Sequence, residues 1–219
     1  QIYAMWERSS LDNQYTPTSG YQLSAKVMGV AGRYHYYPSG EGRTTIKKNV
    51  SWAQAHMKAT NFFGLHRKFS LGLSGQALLS TRKLLPTYDA SIVAADAFHP
   101  TPSSYNYFNS KLHANSFVTA GIMPVWKISG SFQLRGSMHC FLPVRKICVS
   151  TDDLTAGREV GAKYGKWFHD PEFFGELQAV LALPFGSISA YGNYTSSHDS
   201  NWNFGISIGA FILAPKFLK

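Results

Sequence analysis

The sequence predicts an all-β fold made of long antiparallel strands, and three observations predict it. Apolar and polar residues alternate with period two through most of the chain. The segments between the alternating runs are short and long in turn. Charged residues make up only 15% of the 219 positions, while aromatics also reach 15% and glycines number 19. Ordinary soluble domains carry roughly 25% charged residues, so the deficit is itself a signal. Successive side chains of a strand project to opposite sides of the pleat, so sustained period-two alternation marks strands with two chemically distinct faces.

Taken in order, residues 2–11 alternate least clearly and are followed by a Pro/Gly-containing link, Asp12–Gly20. Strands near 20–36 and 48–61 come next, separated by a polar loop at 37–47 and ended by a tight turn at Phe63–Arg67. In "KFSLGLSGQALLSTR" the set Phe69, Leu71, Leu73, Ala77 and Leu79 opposes Lys68, Ser70, Ser74, Gln76 and Ser80. A long polar loop, 83–110, leads to "KLHANSFVTAGIMPVWKI", where Val118, Ile122 and Trp126 oppose His113, Thr119 and Lys127. After a turn at Ser129–Gly130, "SFQLRGSMHCFL" sets Phe132, Leu134 and Met138 against Gln133, Arg135, Ser137 and His139. A third long loop spans 148–171. Then "FFGELQAVLAL" opposes Leu177 and Leu181 to Glu176 and Gln178, a turn follows at Pro184–Gly186, and "SISAYGNYT" and "NWNFGISIGAFIL" complete about nine strands.

Strands of about ten to seventeen residues exceed the five or six usual in soluble sheets. Tight turns on one rim and long loops on the other suit an antiparallel transmembrane β-barrel segment, with an apolar band outside and a polar lumen within. Glycine and alanine interleaved along the apolar face favour lipid over a close-packed core. Tyr34, Trp126, Trp167, Phe173, Phe174, Tyr194, Trp202 and Phe211 fall near strand ends, where an interfacial aromatic girdle belongs. No apolar run approaches the 18 or more residues of a spanning helix. A lipocalin-like soluble barrel is the structural rival.

The chemistry-bearing motifs dissolve on inspection. "GISIG" at 205–209 matches the nucleophile-elbow pattern, but an elbow needs a strand-to-helix turn and period-two alternation runs straight through Ser207. Ser74 in "GLSGQ" reads as a strand serine for the same reason, and Asp152-Asp153 as part of a solvated loop. No catalytic, cofactor or metal site is expected: the eight histidines are dispersed, and Cys140 and Cys148 match no zinc spacing. The net charge of +9 and pI near 9.5 come from basic residues scattered singly along strands. That excludes a nucleic-acid stripe, which clusters Lys and Arg, and suits a basic interior. Lys26, Lys58, Lys68, Arg135, His139 and Glu176 are the candidate lumen-facing charges. Arg135, mid-strand on the polar face, needs a partner; Asp96 or Asp89 from the 83–110 loop are the candidates, with Glu176 as competitor.

Two stretches carry a family resemblance. "AFHPTPSSYNYFNSKLHANSFVTAGIMPVWKISGSFQLRGSMHCFLPV" and "LPFGSISAYGNYTSSHDSNWNFGISIGAFILAPKFLK" resemble the C-terminal, BamA-like surface-antigen barrel of Bacteroidetes patatin-like phospholipases. "YTPTSGYQLSAKVMG" is similar to the superfamily's periplasmic turn and strand start. The resemblance implies that residues 1–219 form a single domain that is the C-terminal part of a larger barrel, a reading that the missing initial Met also suits. It implies a bacterial outer-membrane location. The implied partners are outer-membrane lipids, lipopolysaccharide and the chain's own N-terminal domain and remaining strands, with no nucleic acid. The implied role is to anchor or help export an N-terminal lipid hydrolase, leaving this chain without catalysis. The alternatives are an anion-selective pore and a soluble lipid-binding barrel. The superfamily's inward-folded loop carries an R-G-F or R-G-Y tip that meets an acid on a late strand. Here 83–110 lacks that tip, and Arg135 stands where the acid is expected, so the lock is either absent or exchanged in charge.

Overall fold

The computed structural model describes residues 1–14, 16–37, 46–150, 160–183, 186–196 and 202–210. Its elements are β1 (Ile2–Ser9), β2 (Gly20–Tyr36), β3 (Ile46–His66), β4 (Phe69–Ser80), α1 (Tyr88–Ala94), β5 (Asp96–Ala97), β6 (His113–Ala114), β7 (Phe117–Lys127), β8 (Phe132–Pro143), β9 (Arg145–Val149), β10 (Ala162–Trp167), β11 (Glu172–Leu183), β12 (Gly186–Thr195) and β13 (Trp202–Ala210). Single 3-10 turns at Pro102–Asn106 and Ser110–Leu112 lie between β5 and β6.

The fold is all-β. Nine strands form one antiparallel sheet in the order β1-β2-β3-β4-β7-β8-β11-β12-β13, a meander in which every strand pairs with its neighbour in sequence among the long ones. β1 and β13 are its edges, and among the described residues they do not pair with each other. β5 pairs with β6 and β9 with β10 as two-stranded accessories.

The two faces follow from the alternation. On β11, Phe173, Leu177 and Leu181 are exposed while Glu172, Phe174, Glu176 and Val180 are buried. The register carries this parity across the sheet: Glu176 lies opposite Ser137 of β8 and Asn193 of β12, all three buried, whereas Leu177 lies opposite Gly136 and Gly192. The outer face exposes Met57, Leu73, Ile122, Trp126, Met138 and Leu177, and β13 adds Trp202, Phe204, Ile206 and Ile208, each at least 60% exposed. The inner face joins buried polar residues to an apolar cluster, and it is covered in part.

The cover is the connection from β4 to β7. Its Phe98, Leu112 and Ala114 pack on Leu78, Phe117, Phe141 and Phe174 of the inner face, with Phe98 stacked on Phe141 at 5.8 Å. Segment 83–110 is thus a folded piece packed on this face of the sheet, where the sequence reads as a long polar loop. Within it, Thr87 caps α1 by accepting from Ala90 N at 3.3 Å, and Asp89 in the first turn complements the helix dipole. His113 Nδ1 donates to Ile92 O and Ala95 O at the other end. Burial draws the His113 pKa below its ordinary value against the pull of those carbonyls, so the ring is neutral at pH 7. α1 rests on the β9–β10 hairpin through Ile92, Ala95 and Ile147. That hairpin occupies part of 148–171, expected to be loop throughout. Phe174, expected in the outer girdle, has inner-face parity and is 2% exposed, and Trp167 lies on β10, off the main sheet. Asp152, Asp153 and Phe211, most of the 37–47 loop and the Pro184 turn lie outside the described residues.

Candidate functional site

The covered inner face holds the candidate site. Its best-anchored member is Glu176, 8% exposed at the middle of β11. Thr101 Oγ1 donates to Glu176 Oε2 at 3.0 Å, Ser103 Oγ donates to the same oxygen, and Asn193 Nδ2 reaches it at 3.5 Å. Tyr107 adds a hydroxyl contact to Asn193 Oδ1 at 3.4 Å. The Thr101–Ser104 turn therefore delivers neutral hydroxyl donors to a buried carboxylate. A buried carboxylate needs hydrogen-bond donors, and three from two separate segments converge here on Oε2. The turn thus meets Glu176 of β11 through two hydroxyls.

Arg135 finds other company. Its Nη1 donates to Gln133 Oε1 and its Nη2 to the carbonyl of Pro17, both at 3.1 Å, and its guanidinium lies 5.8 Å from the Phe62 ring centroid. Among the described residues it forms no ion pair. Asp96 accepts from Gln54 Nε2 at 3.1 Å, and Asp89 stands exposed at the start of α1. Neither expected loop partner reaches Arg135, because the connection's tip crosses β11 and β12 while its acids stay near α1. Pro17 belongs to the β1–β2 link, a turn built around Asp12. That carboxylate accepts from Thr18 Oγ1, Thr18 N at 2.8 Å, Ser19 N at 3.1 Å and Asn13 N at 3.0 Å. Burial pulls the Asp12 pKa upward, but these donors outweigh it and hold it at about 2.

His139 and Ser137 of β8 lie directly opposite Phe174 and Glu176 of β11, 5% and 7% exposed. The imidazole lies flat across β7: a Cβ on Gly121 would stand 2.1 Å from His139 Nδ1, so only glycine leaves it room. His139 Nδ1 is 3.5 Å from Ser74 Oγ, while His139 Nε2 and Ser137 Oγ have no hydrogen-bond partner. Both side chains line a cavity of about 380 Å³ together with Lys58, Arg135 and Glu176. Ser74 and Ser207 line it too, as ordinary wall serines on strands.

At the rim with the long connections, Glu172, 6% exposed, gathers Lys146 Nζ at 3.2 Å, Lys111 Nζ at 3.9 Å and Ser196 Oγ at 2.6 Å. It joins the inward connection, β9 and β11. Lys26 lies on the inner parity with its ammonium 5.0 Å from the Tyr3 ring centroid. Lys68 occupies the two-residue turn between β3 and β4, at the rim rather than on the inner face. The sequence reading passed over Thr101, Ser103, Asn193 and Glu172. Among the described residues no group of three or more His, Cys, Asp or Glu could hold a metal ion. No protein-family model, curated protein or solved structure matches the chain.

Proposed function

We propose that the chain is part of an outer-membrane β-barrel whose interior is filled by its own β4–β7 connection, serving as a closed membrane anchor. The observation that carries this reading is the inverted distribution of polarity. Ser70, Ser137, His139, Glu172, Glu176 and Asn193 are buried, while large apolar side chains stand exposed across the opposite face. An aromatic side chain can bury roughly 150–250 Å², so this set, even half exposed, adds to more than about 1,000 Å². The largest patch on a typical soluble monomer is about 300–600 Å². Lipid accounts for such a face; water does not.

Strand length supports the same reading. A tilted spanning strand needs about 9–11 residues, and β4, β7, β8, β11, β12 and β13 have 12, 11, 12, 12, 10 and 9. The connection packed on the inner face favours the anchor over an open anion pore, and the apolar outer face disfavours a soluble lipid-binding barrel. The resemblance to patatin-associated barrels supplies the passenger, a lipid hydrolase elsewhere in the parent protein. Fractionation tests the proposal: the full chain should remain in the membrane pellet through high salt and alkaline washes and be released by detergent. Reconstituted in planar bilayers it should be silent. Release into buffer without detergent would refute the membrane reading, and a steady open current would refute the closed one.

A further inference from the structure

We infer that the cleft at the rim where β4 and β8 end and β7 begins is a binding site for a phosphate dianion, free or as the monoester of a lipid headgroup. Register sets those ends level: Leu78 of β4 lies opposite Phe117 of β7, which lies opposite Pro143 of β8. Just beyond them Arg82, Lys83, Asn115 and Arg145 line a cavity of about 370 Å³ together with Tyr164 and Trp167 of β10. Hydrogen bonds pin its walls. Ser80 N donates to Ser116 Oγ at 2.9 Å, Asn115 Nδ2 donates to the Tyr164 hydroxyl at 2.8 Å and to Arg82 O at 3.2 Å, and the Tyr164 hydroxyl donates to Arg82 O at 3.0 Å. The groups that line the cleft are thus held in place before any ligand arrives.

Among the described residues, three cations and no carboxylate line this cavity, and none of the three forms an ion pair. Arg145 is stacked on aromatic rings, its guanidinium 4.5 Å from the Tyr164 centroid and 5.2 Å from that of Trp167. Stacking occupies the face of a guanidinium and leaves the N–H donors in its plane for an acceptor. Here no acceptor meets them. Arg145 makes no hydrogen bond among the described residues, and of its nitrogens only Nε is sealed from solvent, so both terminal amino groups are unbonded and open. Arg82 is seated in the same way, 4.6 Å from the Trp52 centroid, and gives Nη1 to Ala94 O while its other nitrogens stay unbonded and open. Lys83 is exposed. A carboxylate would leave two of the three positive charges unmatched. A phosphomonoester carries about −1.5 to −2 at pH 7 and offers three oxygens to two guanidinium forks and an ammonium. Trp167, 65% exposed, and Leu84 add apolar surface for an ester's substituent. The binding chemistry stands apart from the membrane reading; a lipid as bearer of the phosphate rests on it.

The test titrates the full chain, solubilised in an uncharged detergent, with inorganic phosphate at constant ionic strength set by chloride, following heat by calorimetry and the Arg145 Nε–H signal by ¹⁵N NMR. Saturable one-to-one binding that moves this signal is expected. Arg145→Met should weaken binding about tenfold or more and Lys83→Met several-fold, while Lys58→Met, which removes a cation of the inner-face cavity, should leave it unchanged. A parallel titration with a short-chain phosphatidic acid, blanked by phosphatidylcholine of the same chain length, separates the sources. Tighter binding of the lipid marks a headgroup site, and equal or weaker binding marks free phosphate. Absence of saturable binding to the wild-type chain, an unmoved Arg145 signal, or a loss in Lys58→Met equal to that in Arg145→Met would each overturn the site. The wild-type NMR measurement decides the matter even if a variant fails to fold. Should the chain leave the membrane without detergent, the same titration runs in plain buffer, so the anchor can fail while the site stands.

Discussion

Placing an arginine at Leu177 separates a lipid-facing sheet from a water-facing one. Leu177 is mid-strand on β11, 66% exposed, and its cross-strand neighbours Gly136 and Gly192 present no side chain to it. If water covered this face, Leu177→Arg would forfeit only the buried third of the side chain, about 0.5–1 kcal/mol. If the face meets hydrocarbon, the same change costs about 2–4 kcal/mol near the bilayer midplane. The adjacent Gln178 has the opposite parity and donates to Ser189 Oγ at 2.9 Å, so Gln178→Arg loses one hydrogen bond, about 0.5–1.5 kcal/mol. Ile206, 74% exposed and paired with Ala190, and its neighbour Ser207 repeat the comparison on β13. Equilibrium unfolding of the full chain in phosphatidylcholine vesicles, followed by tryptophan fluorescence in guanidinium, measures all four. Losses at Leu177 and Ile206 should exceed those at Gln178 and Ser207 by at least about 1 kcal/mol. Equal or reversed losses would refute the assignment of the apolar face to lipid.

Glu176→Gln keeps the shape but removes the charge that Thr101 and Ser103 donate to. It should free the turn by about 1–3 kcal/mol, visible as faster proteolysis confined to 98–108 with the sheet's circular dichroism unchanged. The β1–β2 link should depend on pH. The Asp12 pKa is about 2 when folded against an ordinary value of 3.8, so its stabilisation is complete above pH 4 and is lost as pH falls from 4 towards 2. Amide exchange of Thr18 and Ser19 should accelerate over that window, and Asp12→Asn should abolish the pH dependence. Gly121→Ala should displace the His139 ring and lower stability by about 1–3 kcal/mol, measured by thermal melting. In His139→Ala the same change should cost much less, because the clash is gone.

Strand existence, strand order and the parity of most side chains were legible because alternation is local: β7, β8, β11, β12 and β13 follow from their own residues. Phe174 was misassigned because two consecutive phenylalanines satisfy either parity, and only its neighbour Glu176 distinguishes them. An inward fold of 83–110 was raised only through Asp96 or Asp89 meeting Arg135, and the contacts that hold the β4–β7 connection were not legible. Its anchors join Thr101 and Ser103 to Glu176 across more than seventy residues, and hydroxyls in a Pro/Ser stretch read as ordinary loop. Arg135 was paired in expectation with acids, since carboxylates are visible in a sequence. A backbone carbonyl such as that of Pro17 has no letter of its own. The signal for α1 was present in Thr87 followed by Asp89, but a helix of seven residues is too short for periodicity to register.

The turn that seats on Glu176 and Asn193 touches two neighbouring strands at once. A one-residue slip of either strand would turn every side chain to the opposite face, bringing Leu177 or Tyr194 beneath the Thr101–Ser104 hydroxyls in place of the carboxylate or amide. The connection's hydrogen bonds to Glu176 and Asn193 therefore require β11 and β12 in correct alignment. The contact serves as a gauge of register, its hydrogen bonds being available in one alignment of the two strands.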